Sequence, residues 1–300
     1  MPVSERAARA IKQGAPSAGR AMVARQASNI APTRVSWLWP GWLPAGRLAL
    51  FGGRPGEGKS AVMIDLAARL TTASPLPDGC QPPAPISVLL LSGEDDPSDT
   101  LVPRLLAAGA DLERVTIANG LVRDNETGLD RSWTLPGDVD VLGQLVRDSG
   151  VDLAIVDPLS AFITTAVDTH RDASVRSMLV PLAQMARRER CAVLASRHHR
   201  KGGASDARDA GTGSIAFTAA ARIEWVVGRD PQDQSRRVLA IAKTNIGREP
   251  PSLAYRLVQA DCEWDTVGVA WQGQSAVTAN QLVAEPTSEE DRSVVDEALE

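Results

Sequence analysis

Gly53-Arg54-Pro55-Gly56-Glu57-Gly58-Lys59-Ser60 is a complete GxxxxGK[ST] pattern, and the segments on either side agree with it. A short apolar run over residues 48–51 leads into it, as a buried strand would. Residues 61–70 follow with apolar residues at helical spacing. The pattern therefore predicts a strand, a phosphate-binding loop (P-loop) and a helix in direct succession.

The residue types in this loop fit the binding of phosphate groups. Glycines let the backbone curl so that successive N–H groups point at phosphate oxygens, and the helix N-terminus adds its positive end. Lys59 is expected to reach the β- and γ-phosphates, and the Ser60 hydroxyl to hold Mg²⁺. The residues predicted to bind the nucleotide are Gly53, Arg54, Pro55, Gly56, Glu57, Gly58, Lys59, Ser60 and Ala61.

The rest of the chain predicts an α/β fold. Short apolar runs alternate with helical stretches such as residues 172–190, which is typical of a mostly parallel sheet flanked by helices. After residue 213 the pattern changes to consecutive strands separated by turn-rich segments, which predicts a C-terminal antiparallel extension. The predicted strands are 48–51, 87–92, 114–118, 153–157 and 192–196, followed by 222–227, 237–242, 252–258 and 266–272.

Acidic residues follow two of the predicted parallel strands. Asp157 ends a run of four apolar residues and is expected to hold Mg²⁺ together with Ser60. Glu94 is the first acid after the strand over 87–92, and we assign it as the general base that aligns the attacking water. The alternative for this acid cluster is that it caps a helix beginning near Ser98.

These elements, in this order, resemble the RecA-like ATPases, and more closely the RepA-like hexameric helicase ATPases of mobile elements and plasmids. The resemblance covers residues 37–272 and implies a RecA-like P-loop NTPase fold. The tryptophan-rich segment over residues 37–44 is expected to pack over the core or to lie beside a bound base. The marks that carry the resemblance are Trp37-Leu38-Trp39-Pro40, Ser196-Arg197-His198-His199-Arg200-Lys201, Gly213-Ser214-Ile215-Ala216-Phe217 through Ala221-Arg222, and Lys243-Thr244-Asn245-Ile246-Gly247.

The resemblance implies roles for three further residues. His198, or its neighbour His199, matches the residue that senses the γ-phosphate after the fifth strand. Arg222 matches the arginine finger that completes a neighbouring subunit's site. Lys243 resembles the lysine of a Lys-Asn-Arg-x-Gly finger, but the motif's arginine is absent from this chain, which leaves Arg222 as the better candidate.

Residues 200–212 are expected to form a mobile basic loop that follows single-stranded DNA through its phosphates. Arg200, Lys201 and Arg208 are the predicted DNA-binding residues. The loop lacks aromatic residues for base stacking, and a solvated surface loop is the alternative interpretation.

The charge of the chain is unevenly placed. The net charge is −5, yet residues 1–36 hold six basic residues and one acid. This leader is predicted to be a disordered basic arm, or alternatively a transit peptide. No apolar run approaches the length of a membrane span, which predicts a cytoplasmic protein without membrane contact. The remaining predicted divisions are an ATPase domain over 37–272, a linker over 273–286 and the helical start of a further module over 287–300.

Together these features predict a Mg²⁺- and ATP-dependent helicase that forms a homo-oligomeric, hexameric ring on single-stranded DNA during replication. One alternative is a recombinase or DNA-repair ATPase that forms open filaments. Another is a regulator in which ATP switches assembly without movement, and in which a primase or replication initiator makes the DNA contact. The acidic body and the aromatic-free loop favour this second alternative.

Overall fold

The computed structural model describes residues 23–124, 126–199, 206–211 and 215–284. The chain divides into two compact units, Met1–Arg34 and Val35–Glu300. The described part of the first unit contains a 3₁₀ turn, Ala27–Asn29, and its side chains are exposed. None of the described helices combines the length and the apolar composition that crossing a membrane requires.

The described residues of the second unit form thirteen strands, nine of which make one sheet. The strands are β1 (Trp37–Trp39), β2 (Leu43–Pro44), β3 (Leu48–Gly53), β4 (Val88–Ser92), β5 (Val115–Ala118), β6 (Leu121–Arg123), β7 (Asp130–Ser132), β8 (Leu153–Asp157), β9 (Ala192–His198), β10 (Ile223–Asp230), β11 (Asp233–Thr244), β12 (Ser252–Gln259) and β13 (Val267–Ser275).

The large sheet has the strand order β13-β12-β11-β10-β3-β9-β8-β4-β5. From β10 to β5 all neighbours run parallel, whereas β11, β12 and β13 pair antiparallel. This confirms the predicted α/β fold with its C-terminal antiparallel extension. Because parallel strands end on the same side, β3, β4, β8 and β9 deliver their last residues to one end of the sheet, here called the carboxyl end. The opposite end is called the amino end.

Helices cover both faces of this sheet, as a parallel sheet requires. The apolar sides of α1 and α2 pack into one cluster of buried residues, and those of α3, α4 and α5 pack into a second cluster on the other face. The helices are α1 (Lys59–Thr72), α2 (Val102–Ala107), α3 (Val139–Ser149), α4 (Asp172–Glu189), α5 (Ala216–Ala220) and α6 (Ala279–Val283).

The aromatic segment before the P-loop is part of the core. Strands β1 and β2 form a small hairpin that buries Trp39 and Trp42 completely. The two indoles stack with their centroids 4.8 Å apart, and Trp225 of β10 meets both edge-on. Each such pair is worth about 0.5–1.5 kcal/mol beyond the area it buries. Of the two expectations for this segment, packing over the core is therefore the correct one for these indoles.

The region predicted as a linker, 273–286, is folded over its described part. Strand β13 continues to Ser275, and α6 follows, with a capping box at Thr278. Ala279 and Val283 are buried in a small cluster with Val226 of β10. Tertiary burial of these two apolar residues corrects the prediction of a linker up to residue 284, while the predicted module over 287–300 lies outside the described residues.

Candidate active site

The P-loop lies at the carboxyl end of the sheet, between β3 and α1. Gly56 and Gly58 have φ angles of +77° and +86°, a region that side-chain-bearing residues rarely adopt. A Cβ added to Gly53 would lie 2.6 Å from a methyl group of Val227. The glycines of the motif are thus required by the curl of the loop and by the approach of β10.

A cleft of about 370 Å³ opens beside this loop, within the size range of small-molecule sites. Its lining comes from the P-loop, from the segment after β4, from α2, from the ends of β8 and β9, and from β12 and β13. The lining residues are Pro55, Gly56, Gly58, Lys59, Ser60, Ala61, Glu94, Asp95, Arg104, Asp157, Pro158, His198, Leu257 and Val267.

Lys59 is held at the centre of the P-loop. Its Nζ donates hydrogen bonds to the backbone carbonyl oxygens of Gly53 at 3.0 Å and Arg54 at 3.1 Å. The residue is buried, and this burial lowers the pKa of its ammonium group, an effect that nearby carboxylates partly offset. The structure thus holds a cation against the backbone of the P-loop and at the cleft, where phosphate oxygens would meet it.

Asp157 accepts two hydroxyl hydrogen bonds at the end of β8. Ser60 Oγ donates to its Oδ2 at 2.6 Å, and Ser196 Oγ donates to its Oδ1. A carboxylate and a hydroxyl that converge in this way form an oxygen donor set of the kind Mg²⁺ prefers. The residues present therefore fit the predicted metal site. Ser196 was missed by the sequence analysis, although a serine inside the apolar run of β9 is a signal that could have identified it.

The acids after β4 separate into different roles. Glu94 and Asp95 line the cleft, and Asp95 forms an ion pair with Arg104 of α2 at 2.9 Å. Asp96 instead caps the turn that leads into α2, because its side chain accepts the backbone N–H groups two and three residues further on. The capping function falls on Asp96, so Glu94 remains available to face a bound water.

His198 and His199 meet different surroundings at the end of β9. His198 lines the cleft, and its Nδ1 is buried without a hydrogen-bond partner among the described residues. His199 lies against β3: its backbone N–H donates to the carbonyl of Gly53 at 3.2 Å, and a Cβ added to Gly52 would lie 2.3 Å from its Nε2. Of the two candidates for the γ-phosphate sensor, His198 is the one in the cleft.

The environment of His199 makes the stability of the protein depend on pH. Burial lowers the pKa of His199 to about 3, and neighbouring cations add to the effect. The unfolded chain takes up this proton near pH 6.5, whereas the folded chain does not until about pH 3. We therefore expect the free energy of unfolding to fall as the pH drops between these values, by at most about 1.4 kcal/mol per pH unit. Urea denaturation over this range measures the slope.

Two variants separate this effect from other titrations. His199→Asn removes the titrating ring and is expected to flatten the slope, whereas His170→Asn, at an exposed position, is expected to leave it unchanged. An unchanged slope in His199→Asn would show that another group carries the pH dependence.

The hairpin of β12 and β13 forms one wall of the cleft, which the sequence did not predict. Tyr255 donates its hydroxyl to the backbone carbonyl of Glu57 at 2.7 Å, and the indole of Trp271 donates to Asp65 of α1 at 2.8 Å. A Cβ on Gly58 would lie 2.8 Å from a methyl of Leu257. The antiparallel extension is therefore attached directly to the P-loop and to the helix that follows it.

Arg222 lies at the amino end of the sheet, away from the cleft of its own chain. Its backbone N–H donates to the carbonyl of Leu48 at 3.1 Å. Leu48 and Gly53 are the two ends of β3, so about 16 Å of strand separates Arg222 from the P-loop. Arg222 is exposed and makes no ion pair with any residue that the structure describes. Its side chain is free to contact another molecule.

Lys243 is occupied within its own chain. Its Nζ donates to the carbonyl oxygens of Thr218, Ala219 and Ala221, at 2.5, 3.4 and 3.0 Å. These carbonyls belong to the C-terminal end of α5, where a cation is favoured by the helix dipole. Three acceptors use all the donor hydrogens of an ammonium group. Lys243 is thus engaged within its own chain, so the finger role stays a prediction for which the exposed Arg222 is the better candidate.

The predicted basic loop is only partly described, since Arg200 and Lys201 lie outside the described residues. Arg208 is exposed but pairs with Asp206 at 2.5 Å. Residues 206–211 pack on the folded body, because Ala207 and Ala210 are buried in the cluster that contains Val226. This described part therefore corrects the expectation of a mobile basic loop.

Comparisons with known proteins agree with this geometry. Residues 15–204, more than half of the chain, match the family model of the AAA domain. The matched region begins inside the predicted leader and includes the P-loop, Glu94, Asp157 and His198. No curated protein matches the chain.

Proposed function

Because the chain belongs to the AAA domain family and is a P-loop ATPase, we propose that it is a ring-forming replicative helicase that moves along single-stranded DNA. The observation that carries this proposal is the position of Arg222. This arginine is exposed, makes no ion pair with a described residue and lies at the amino end of the sheet, far from the cleft of its own chain. A head-to-tail neighbour would bring it to the next cleft, and such contacts generate closed rings when the rotation closes.

The residues that line one cleft have separate roles in ATP hydrolysis. Lys59 would contact the β- and γ-phosphates, and Ser60 and Asp157 would hold Mg²⁺. When bound, the metal neutralises charge on the phosphate oxygens. Glu94 accepts a proton from the attacking water and orients it toward the γ-phosphate. Arg222 of a neighbouring subunit stabilises the charge that builds on the transferring group.

The end of β9 is the best candidate for coupling hydrolysis to DNA. His198 in the cleft is followed directly by the segment 200–212, which carries the predicted DNA-binding residues Arg200, Lys201 and Arg208. The described part of this segment is tied back to the strand by a bridge between His199 and Gly211. A change at His198 on loss of the γ-phosphate would therefore be transmitted to this segment.

A regulator that ATP switches without movement is the second candidate. It is favoured by the ion pair between Arg208 and Asp206, which reduces the positive charge available to DNA phosphates. In that case a primase or replication initiator would contact the DNA. A recombinase-type filament differs from the ring only in that the head-to-tail contact does not close.

The deciding experiment measures ATP hydrolysis with and without single-stranded DNA, together with particle mass in ATP and strand displacement on a forked duplex. A helicase is expected to show DNA-stimulated hydrolysis, a closed ring and unwinding. Hydrolysis without unwinding on any fork would support the regulator instead. Open filaments on DNA would support the recombinase.

A further inference from the structure

We infer that the base of the nucleotide lies in a slot between the guanidinium of Arg104 and the apolar side chains of Leu257 and Val267. This slot contacts the two faces of any base and forms no hydrogen bonds to the edge of the base. This inference rests on the proposed function only in that the cleft must bind a nucleoside triphosphate.

The lining of the cleft has two ends with different chemistry. At one end the P-loop amides, Lys59, Ser60 and Asp157 form a site for phosphates and metal. The remaining side chains that are not acidic and not part of this site include Arg104 of α2 and Leu257 and Val267 of the β12–β13 hairpin. Once the phosphates occupy the first end, these side chains are among those that remain for the nucleoside.

The hairpin side of the slot is apolar and firmly placed. Leu257 packs directly over Gly58, and the next-but-one residue toward the N-terminus, Tyr255, bonds the P-loop backbone. Val267 begins β13, lines the cleft and is 42% exposed, so part of its surface is available to a ligand. An aliphatic wall of this kind removes one face of a base from water without contacting polar atoms at its edge.

The opposite side of the slot is a planar cation held in place. Arg104 pairs with Asp95 at 2.9 Å, and the backbone N–H of Asp95 in turn donates to Ser92 Oγ at 3.1 Å. Helix α2, which carries Arg104, packs against β13, so both sides of the slot belong to elements in contact. A guanidinium fixed by a carboxylate can stack on an aromatic ring with its flat face.

The slot offers no group to recognise the edge of a base. Arg104 donates through Nη1 to Asp95 Oδ2, and a guanidinium stacked on a base directs its other N–H groups parallel to the ring rather than at the ring edge. The other polar side chains among the described lining residues belong to the phosphate and water sites. Strong discrimination between bases requires hydrogen bonds to their edges, whereas stacking and apolar contacts tolerate every base. We therefore expect ATP, GTP and CTP to bind with affinities within about tenfold of one another.

Equilibrium binding of ATP and of inorganic triphosphate to the full chain tests this slot. Arg104→Ala and Leu257→Ala are each expected to weaken ATP binding by about fivefold to tenfold. Triphosphate lacks a base, so its binding should be unchanged in both. Arg104→Lys keeps the charge but loses the flat face, and it should behave like Arg104→Ala. The controls are Arg114→Ala, which breaks a comparable pair with Asp111, and Val258→Ala.

Each contrary result has a distinct meaning. If the variants weaken triphosphate as much as ATP, these residues act on the P-loop or the phosphates, and the slot is refuted. Rescue by Arg104→Lys would refute the stacking role, and a preference of more than about a hundredfold for one base would refute the absence of edge recognition. Failure of the unaltered chain to bind any nucleotide would instead refute the proposed function.

Discussion

Replacing Arg222 by alanine is expected to lower the rate of ATP hydrolysis by about 10³- to 10⁵-fold in the assembled protein, the range observed for arginine fingers. The side chain is exposed, makes no ion pair with a described residue and lies about 16 Å along β3 from its own P-loop. Its loss should therefore leave folding and nucleotide binding intact. Steady-state hydrolysis, measured beside ATP affinity, separates these effects.

A mixing experiment identifies the subunit on which Arg222 acts. The Arg222→Ala and Lys59→Ala variants are each expected to hydrolyse ATP far more slowly than the unaltered chain, but a mixed ring contains interfaces where an intact Lys59 faces an intact Arg222. Random assembly predicts about a quarter of the interfaces in this state, so hydrolysis should return on mixing. Arg176→Ala, an exposed arginine of α4 that makes no ion pair with a described residue, is the matched control and should retain full activity. No recovery on mixing would mean that Arg222 does not act in trans.

Replacing Lys59 by alanine is expected to reduce hydrolysis by about 10²- to 10³-fold, the usual effect of removing one preorganised donor at the reacting group. The ammonium group is already positioned, because it donates to two carbonyl oxygens of the loop. Its burial lowers the pKa of this ammonium group, an effect that nearby carboxylates partly offset. A phosphate in the loop would restore the preference for the charged form.

The control for this variant lies on the same helix. Arg69→Ala removes an ion pair with Asp65 on α1, away from the loop, and is expected to leave hydrolysis unchanged. Circular dichroism of both variants verifies that α1 remains folded. Intact hydrolysis in a folded Lys59→Ala protein would exclude the mechanism proposed for the cleft.

The phosphate end of the site was predictable because its geometry is local in sequence. The curl of the P-loop depends on Gly56 and Gly58, and the dipole that attracts phosphate belongs to the helix that begins at Lys59. Asp157 could also be predicted, since a parallel strand necessarily delivers its last residue to the same end of the sheet as β3. The local sequence and the rule that parallel strands end on the same side of a sheet were enough to predict the positions of these residues.

The contacts that hold the rest of the site were not predictable in the same way. Tyr255 bonds the carbonyl of Glu57 from 198 positions away, and nothing in its own surroundings in the sequence indicates this contact. From the sequence, Lys243 is a second candidate for the finger beside Arg222, and residues 200–212 are expected to form a mobile loop. Lys243 instead caps α5, and Ala207 and Ala210 are buried in an apolar cluster. The sequence shows where a charged side chain is, but it does not show which residue forms its hydrogen bond or ion pair.

By itself the sequence determined the α/β fold, the phosphate-binding loop and the acids at the strand ends. These features depend on the spacing of apolar residues, on the spacing of glycines and on the direction of each strand, all of which are set within short stretches of chain. Only the tertiary structure decided which histidine enters the cleft, which of the two candidate cations has no ion pair among the described residues, and that the β12–β13 hairpin forms a wall of the site. These outcomes depend on which distant side chains compete for the same partner, and that competition is settled only when the chain is packed.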